Sequence, residues 1–571
     1  MTKAGAGWLR LSGDNSFAGA TVRQGILELT GNNSLSADVR VEGGLLDIHG
    51  SLDGSALTVA GGVARVNGSI TGAPTTVAAA GRLHGTGTLA DTTVAGTIAP
   101  GNSIGTLTVN GDYVQQAGSF YEVELQAPSA SDLIQVNGNA TLQGGTVRAF
   151  RLPGTYLLGQ SYRILNAQGG VSGQFTSLDA SALSSPFLRM DLVYGTNAVD
   201  LNVLRGESLA SAANTPNQRA TAGAIDALPT DNVLLQTLVL LAPSPAMAAV
   251  DQLSGEAHAS TQAVLIDSSR HVRDAALARA RNDQHPFTAQ ADDAERFGAW
   301  AEISGNGGTL DGDGNAAQVQ YDGQHTLVGG DYRFASGWRI GVLGGVSKTS
   351  ASVHERGSQA RINSTLAGVY IGQAWGGLGV RAGATWASHE IDVTRDIRIA
   401  GFDDHTHATY NGKFRQAFVE GGYRFGNASW GVEPYLQYAR VDSDSNAFRE
   451  QGGAAALSGQ AQQTGIDITT AGVRFDAGLK AAAQEQTWLN LHAGLGYRQI
   501  SGDTTPGARL AFAGSSTFTV LGAPLADNAT VAELGASARI SRNSVLELGY
   551  SGQFASDADD HGVNARFSWR F

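Results

Sequence analysis

Residues 101–105 read GNSIG, the G-x-S-x-G spacing that places a serine nucleophile on a sharp turn in many hydrolases. That turn works only between a strand and a helix, and it needs Asp and His partners later in the chain. Here the flanking residues predict a strand on each side of the motif. We therefore interpret it as a turn between strands, and the chain itself is not predicted to be an enzyme.

Two other polar stretches could bind metal ions. His405 and His407 stand two residues apart in an acidic stretch, so their imidazoles could converge on one ion. Residues 311–315 read DGDGN and are similar to the start of a calcium loop, but the twelfth position of that loop holds Asp322 instead of Glu. We interpret both stretches as solvated loops, and we predict no metal and no cofactor.

The composition favours an all-β chain. Glycine accounts for 76 of 571 residues without a collagen period, so we expect it at tight turns and close backbone contacts. A net charge of −13 leaves no basic surplus, and nucleic-acid binding is not predicted. Cysteine is absent, which suits a chain that crosses an oxidising periplasm unfolded.

The first hundred residues repeat with a period near 20. A glycine, five residues and a second glycine recur from Gly25, Gly44, Gly62 and Gly81. One short strand per unit with glycine at the corners is typical of a solenoid, and we predict a right-handed parallel β-helix over residues 1–98. Over residues 99–205 the spacing loosens, as expected for a cap that covers the last coil.

The amino-acid composition changes after residue 205. Residues 206–253 are rich in Ala and Leu and interrupted by prolines, which predicts a helical linker. Residues 254–285 predict one long helix whose apolar residues are mostly small, which suits a narrow, polar surrounding. Its arginines are Arg270, Arg273, Arg279 and Arg281.

Residues 286–571 predict twelve strands by their period-2 alternation. Leu378 and Val380 share an apolar face, for example, while Gly379 and Arg381 share the other. An apolar face opposite a face of glycine and charge fits a transmembrane barrel with a wet interior. Short connections alternate with long ones predicted at about 311–320, 398–411, 446–465 and 502–527. Seven of the eight tryptophans lie in this part, several near turns, as in an aromatic girdle.

Three motifs then carry a resemblance to a known family. TKAGAGWLRLSGDNSFAG at residues 2–19 resembles the passenger-associated repeat, APGNSIGTL at 99–107 resembles the start of an autochaperone region, and DQLSGEAHAS at 251–260 resembles the entry to a pore helix. In this order they resemble the monomeric autotransporters of type V secretion, most like the subtilase-type members. The autochaperone residues would be Pro100, Gly101, Asn102, Ser103 and Gly105.

The resemblance implies an outer-membrane translocator of a Gram-negative bacterium that exports and displays its own N-terminal passenger. Its implied partners are outer-membrane lipid, periplasmic chaperones and the barrel-assembly machinery, which would read Phe567, Trp569 and Phe571, and we expect a monomer. The helix arginines would face inward-pointing glutamates of the barrel. We expect those to be Glu302, Glu420, Glu433 or Glu547.

Two alternatives stay open for the part that is displayed. The solenoid could itself be an adhesin that contacts a host or neighbouring cell. Alternatively, the chain could be the C-terminal part of a subtilisin-like protease. The opening residues lack the apolar core of a signal peptide, so we expect the chain to be a fragment or the true start to lie upstream.

Overall fold

The structure, a computed structural model, describes residues 1–180, 185–281, 296–427, 429–480 and 487–571. These residues form two compact units. The first comprises Met1–Ser208 and Thr230–Pro243, and the second comprises Leu209–Pro229 and Ser244–Phe571. Among the described residues, no helix combines the length and the apolar character needed to cross a membrane.

The first unit is a stack of three-sided coils, which confirms a parallel β-helix stem. Strands of successive coils pair in parallel, so that two faces form one sheet and the third face forms another. The strands are β1 (Thr2–Lys3), β2 (Trp8–Leu11), β3 (Asn15–Phe17), β4 (Ala20–Val22), β5 (Ile26–Leu29), β6 (Asn32–Leu35), β7 (Val39–Val41), β8 (Leu45–Ile48), β9 (Ser51–Asp53), β10 (Leu57–Val66), β11 (Ser69–Thr71), β12 (Thr75–Gly85), β13 (Thr88–Leu89), β14 (Thr92–Val94), β15 (Thr97–Pro100), β16 (Thr106–Val109), β17 (Tyr113–Gln115), β18 (Phe120–Gln126), β19 (Ala130–Ser131), β20 (Leu133–Val136), β21 (Asn139–Leu142), β22 (Thr146–Arg151), β23 (Ser161–Ala167), β24 (Gly170–Gly173), β25 (Ser177–Asp179), β26 (Leu188–Tyr194) and β27 (Ala198–Arg205).

The core of the stem is built from columns of β-branched and leucine side chains. Val22, Val41, Val59, Val77 and Val94 occupy equivalent places in successive coils and are fully buried. Each valine covers the one before it, because parallel strands in register place identical side chains directly above one another.

The repeated glycines occupy two different places in each coil. Gly25 and Gly44 precede a strand, and Gly62 takes the equivalent place within β10; all three have a positive φ, which L side chains rarely adopt. The glycines that follow the strand, such as Gly50 and Gly68, lie so close to the previous coil that a Cβ would overlap a backbone carbonyl oxygen. The period that the sequence displays is therefore a period of backbone geometry.

An antiparallel hairpin follows the parallel coils. β26 pairs with β27, and β27 pairs in turn with β23, so the ladder changes from parallel to antiparallel at the end of the stem. On this face the hairpin takes the place of the next parallel coil and so ends the stacking.

Short helices follow the stem in the chain. They are a 3-10 turn at Leu209–Ala212 and the helices α1 (Pro216–Asp226), α2 (Val233–Leu238) and α3 (Pro243–Leu253). Thr215 caps α1, because its side chain accepts a hydrogen bond from the Gln218 amide while Pro216 opens the helix. Asn232 caps α2 in the same way through the Leu234 amide.

The predicted long helix is two helices, α4 (Ala257–Ser268) and α5 (Arg270–Arg281), with a break at Ser269. Both helices lie inside the barrel. Every residue of α4 is buried, including its polar residues. The last residues of the predicted segment, 282–285, lie outside the described residues.

The second unit is dominated by long antiparallel strands. They are β28 (Phe297–Leu310), β29 (Val319–Arg333), β30 (Arg339–Val353), β31 (Ser358–Trp375), β32 (Leu378–Ile399), β33 (Phe402–Tyr423), β34 (Phe425–Gly426), β35 (Trp430–Ser445), β36 (Phe448–Arg449), β37 (Leu457–Gly459), β38 (Gln462–Lys480), β39 (Thr487–Gly502), β40 (Gly507–Phe512), β41 (Phe518–Leu521), β42 (Asn528–Arg539), β43 (Ser544–Phe554) and β44 (Ala558–Arg570), with a 3-10 turn at His354–Arg356.

Twelve of these strands close into a barrel, as predicted. The ring runs through β28–β33, β35, β38, β39 and β42–β44, and the last strand pairs with the first from Gly298↔Arg570 to Leu310↔Ala558. Closure gives each of these twelve strands a partner on both sides, which is the condition for a sheet to stand in lipid. The short strands β36, β37, β40 and β41 form a separate four-stranded sheet from two of the long loops.

The outward face is apolar. Large exposed side chains such as Val342, Leu436, Leu495 and Leu548 cover it, whereas the inward face carries buried charge and glycine. Most of the tryptophans are also exposed, but Trp300 departs from the expected girdle. Its ring is buried in the lumen, where the indole nitrogen donates to the Tyr370 hydroxyl over 2.9 Å.

The prediction of a long loop at residues 398–411 is wrong. β32 continues to Ile399 and β33 begins at Phe402, so the connection is a tight turn at Gly401 with φ +83°. The polar residues of this stretch alternate along a paired strand that extends beyond the apolar band. Its ladder hydrogen bonds satisfy the backbone, so polarity alone was a poor signal of a loop there.

Candidate functional site: the lumen of the barrel and its helices

The lumen holds α4 and α5 by charged and polar contacts. Arg281, in the last turn of α5, places its guanidinium 3.3 Å from both oxygens of Glu420, which is fully buried. Arg381 and Arg474 of the barrel donate to the same carboxylate over 3.0 Å and 2.9 Å. One inward glutamate therefore joins the helix to two neighbouring parts of the barrel wall.

A second pair lies two residues earlier on α5. The Arg279 Nε donates to Asp331 over 2.6 Å, and Arg339 donates to the same carboxylate over 2.7 Å. The Tyr370 hydroxyl also donates to it over 3.0 Å. All of these side chains are buried, and the carboxylate has enough donors to offset the loss of water.

The break between the two helices faces a third cluster. Arg270 donates to Asp560, whose other oxygen accepts from Tyr321 over 2.9 Å. The same Tyr321 hydroxyl lies 2.6 Å from Asp267, near the end of α4. Arg273 is fully buried and donates to Gln416 over 3.1 Å. The helices are thus tied to strands on several sides of the lumen.

The predicted partners of the helix arginines need correction. Glu420 does contact Arg281, but Arg270 and Arg279 pair with aspartates, Asp560 and Asp331. The other three predicted glutamates face arginines of the barrel wall. Glu302 and Glu547 lie against Arg566, and Glu433 lies against Arg381. The rotation of the helix decides these pairs, and no spacing in the sequence reports it.

The half of the lumen nearest the short turns is not completely filled. A cavity of about 140 Å³ lies beside α5 and is lined by His271, Asp274, Arg281, Arg474 and Arg566 among others. Its walls are charged, so water can occupy it. The outer half of the lumen holds α4, all of whose residues are buried.

The serine of the G-x-S-x-G motif lies in a turn between β15 and β16, as interpreted from sequence. Gly101 has φ +92°, and the Asn102 amide donates to Asn67 over 2.8 Å. The Gly105 amide donates to the carboxylate of Asp132 over 2.9 Å, and the Glu124 amide donates to its other oxygen over 2.8 Å. Burial of Asp132 nonetheless raises the pKa of its carboxyl to about 7.

The terminal aromatic residues lie beside the seam that closes the barrel. Phe567 and Trp569 are exposed on the outward face of β44, and Phe571 follows that strand. The Phe571 amide donates to the Phe297 carbonyl over 3.0 Å, and the two rings stack with centroids 6.0 Å apart.

The two stretches considered as metal sites, around His405 and at residues 311–315, make hydrogen bonds within the protein. His405, on β33, lies 2.6 Å from Asp396, while Asp313 accepts amides of its own loop. Within the described ranges one group of three potential ligands comes together, Glu28, Asp47 and His49 on the stem. The two carboxylates there already receive paired hydrogen bonds from arginines, namely Arg10 and Arg65.

Comparison with known families matches two parts of the chain. Residues 299–551 match the autotransporter beta-domain, and residues 1–29 match the passenger-associated-transport-repeat. The first match coincides with most of the barrel, and the second covers the first coils of the stem.

Two curated relatives align along the whole chain, and a third aligns along half of it. An extracellular serine protease of Serratia marcescens is 30% identical over 100% of this chain and 56% of its own length, and a second one is 29% identical with the same coverage. The esterase EstA of Pseudomonas aeruginosa is 23% identical over 51% of this chain and 46% of its own length. The chain therefore spans about half the length of the curated relatives it matches.

Among solved structures, the translocator domain of the autotransporter NalP from Neisseria meningitidis is 18% identical, with a TM-score of 0.41. It covers 53% of this chain and 98% of its own. Taken with the closed barrel and the relatives aligned along the full chain, these matches identify residues 299–551 as an autotransporter beta-domain, in a chain whose residues 1–29 form a passenger-associated-transport-repeat.

Proposed function

We propose that this chain exports its own N-terminal part through the barrel and displays the stem at the surface of the outer membrane. The observation that carries the proposal is the lumen. A closed barrel with an apolar outside holds, in its charged interior, the two helices that directly precede it in the chain. A segment fixed there lies along the polar interior of the barrel, which gives a chain a route across the membrane away from lipid.

The experiment is surface proteolysis of intact cells that produce the full chain behind an inner-membrane secretion signal. We expect added protease to degrade the stem while the barrel fragment stays protected. Retention of a periplasmic marker protein controls for leakage. Protection of the stem until the outer membrane is permeabilised would contradict export.

The assembly and folding roles of two motifs belong to the same proposal. We infer that Phe567, Trp569 and Phe571 are read by the barrel-assembly machinery, because the three rings project from the last strand and the residue that follows it. Residues 100–105 would help the end of the stem to fold outside first, supported by their hydrogen bond to Asp132 across one coil.

A second candidate concerns the activity of the complete protein. Because two relatives aligned along the whole chain are named extracellular serine proteases, we propose that the stem carries a serine protease. The complete gene product would then label with a fluorophosphonate probe on intact cells. A surface-exposed product that neither labels nor degrades casein would contradict this candidate and leave the export proposal standing.

A further inference from the structure

We propose that the outer mouth of the barrel is closed by a lid that the linker helix completes, so that the pore seals only when the exported part has left it. The lid consists of the sheet β36, β37, β40 and β41 together with α1. Three side chains hold it, Asn217, Glu256 and His258, which we call the latch. The inference rests on the proposed export function and adds a step to it.

Glu256 is the centre of the latch. It stands at the start of α4 and is 1% exposed. One carboxylate oxygen accepts from the Ala317 amide over 2.8 Å and from the Arg356 Nε over 3.0 Å. The other oxygen lies 3.3 Å from the side-chain amide of Asn217. The carboxylate therefore joins α4 to two loops and to α1.

Asn217 connects the linker helix to the loops. Its backbone amide donates to the Asn315 side chain over 2.7 Å. Its side chain both donates to and accepts from the backbone of Leu521, at 2.8 Å in each direction. The residue is 1% exposed, so these bonds are made away from water, where leaving a polar group unpaired is costly.

His258 fixes α4 to a third loop. Its Nε2 lies 2.8 Å from Glu450, and its ring stacks on Phe448 with centroids 4.0 Å apart. Glu450 in turn accepts from the Leu457 amide over 2.8 Å and from Arg395 over 3.0 Å. Arg395 completes the link, because it donates to the Leu253 carbonyl at the end of α3.

These contacts make closure depend on the linker. Without α1 and α4 in place, the loop groups that now bind Asn217, Glu256 and His258 would lack partners in a buried position. Since buried polar groups must be paired, the loops are stable over the mouth only after both helices have docked. During export another part of the chain occupies the lumen, so docking of the latch is the last event and closes the pore.

The lid is separate from the contacts that hold α5. The charged pairs of Arg279 and Arg281, at the end of α5, lie in the half of the barrel nearest the short turns, and they involve none of the latch residues. Variants in the latch therefore test the lid while leaving α5 bound in the lumen.

The test is ion conductance of the purified full chain in planar lipid bilayers, compared for Asn217→Ala, Glu256→Ala and the double variant. We expect the open fraction to rise roughly tenfold in each single variant, as for the loss of one buried hydrogen-bonded group. Arg219→Ala is the matched control, because Arg219 is exposed on the same helix and should conduct as the wild type. Wild-type conductance in the latch variants would overturn the lid.

Because the chain has no cysteine, a cysteine pair gives a second test that avoids loss of packing. In Asn217→Cys with Asn315→Cys, we expect oxidation to keep the pore silent and reduction to raise its conductance reversibly. Equal conductance in both states would overturn the lid. Surface proteolysis of cells that produce these variants distinguishes the lid from the export proposal. A stem that never reaches the surface contradicts export. A stem that is displayed while the pore conducts as the wild type contradicts only the lid.

Discussion

Charge inside the barrel is organised around single carboxylates that each meet more than one cation. The Glu420 carboxylate forms ion pairs with Arg281, Arg381 and Arg474, and it is fully buried. An ionised carboxylate in such a place is stable only while its partners remain, and the arginines depend on it equally. The lumen is therefore sensitive to the loss of one member of a cluster.

Replacing Glu420 by Gln should destabilise the barrel by roughly 3–5 kcal/mol, because three arginines would lose a buried counter-charge at once. The measurement is the temperature at which the heat-modifiable band converts on a gel, which should fall. Glu390→Gln is the control, since Glu390 is exposed on the outside of β32. Equal conversion temperatures for the two variants would contradict the role of the cluster.

Asp132 gives the stem a pH dependence of defined sign. Burial raises its pKa to about 7 in the folded stem from an ordinary value of 3.8, so the folded state binds a proton that the unfolded state has released. The stabilisation is fully present below about pH 4 and is lost as the pH rises to about 7. Asp132→Asn should remove this component.

The measurement for Asp132 is a guanidinium titration of the detergent-solubilised full chain at several pH values, with folded stem counted by brief proteolysis. Other carboxylates also titrate, so the informative quantity is the free energy of unfolding of the wild type minus that of Asp132→Asn at each pH. A difference that stays constant between pH 4 and 7, or that grows in favour of the wild type as pH rises, would contradict the predicted direction.

At the scale of the element, stacking of the stem coils is limited by backbone contact at one corner. The column from Gly31 through Gly50 and Gly68 to Gly87 places each α-carbon against the carbonyl of the previous coil. Any Cβ in the column would push two coils apart and disturb hydrogen bonds on both faces. The strand pattern alone does not show which glycines carry this constraint.

Gly50→Ala should therefore destabilise the stem by roughly 1–3 kcal/mol, the usual cost of forcing extra volume into a packed site. Gly13→Ala makes the matched control, because a Cβ on Gly13 meets no atom within 4 Å. The guanidinium midpoint of the stem measures both. A midpoint for the Gly50 variant equal to that of the control would show that the coils can separate at little cost.

At the scale of the whole molecule, the barrel depends on pairing its first and last strands. That seam ends at Phe571, whose backbone pairs with Phe297 and whose ring lies 5.0 Å from Trp569. The exposed ring adds little to the folded structure, since the backbone bonds remain when it is removed. We propose that the ring instead serves recognition of the last strand before the barrel has closed.

Phe571→Ser should therefore lower the amount of heat-modifiable barrel in outer membranes several-fold, with little change in the conversion temperature of the barrel that does form. Phe425→Ser is the control, because it removes an exposed ring near another short turn. An equal loss of yield in both variants would indicate a general need for surface aromatics and would contradict a signal in the last strand.

Periodicity in the sequence was enough to predict both β architectures. Glycines 18 or 19 residues apart predicted the stacked coils, and apolar residues two apart predicted the barrel strands, because each pattern is set by local backbone geometry. The failures arose where local geometry does not decide. Residues 398–411 are polar but paired, and the long helix is interrupted at Ser269, where Asp267 and Arg270 have separate partners in the barrel wall.

The sequence by itself determined the order of stem, linker, helix and barrel, since motif and period are read along the chain. Only the tertiary structure decided which charges meet. The partners of the helix arginines and of Glu256 come from residues far away in the chain, and their pairing depends on the rotation of a helix within a closed barrel. A one-dimensional pattern fixes which face of a strand is polar, but the distance between two polar faces is a property of the closed ring.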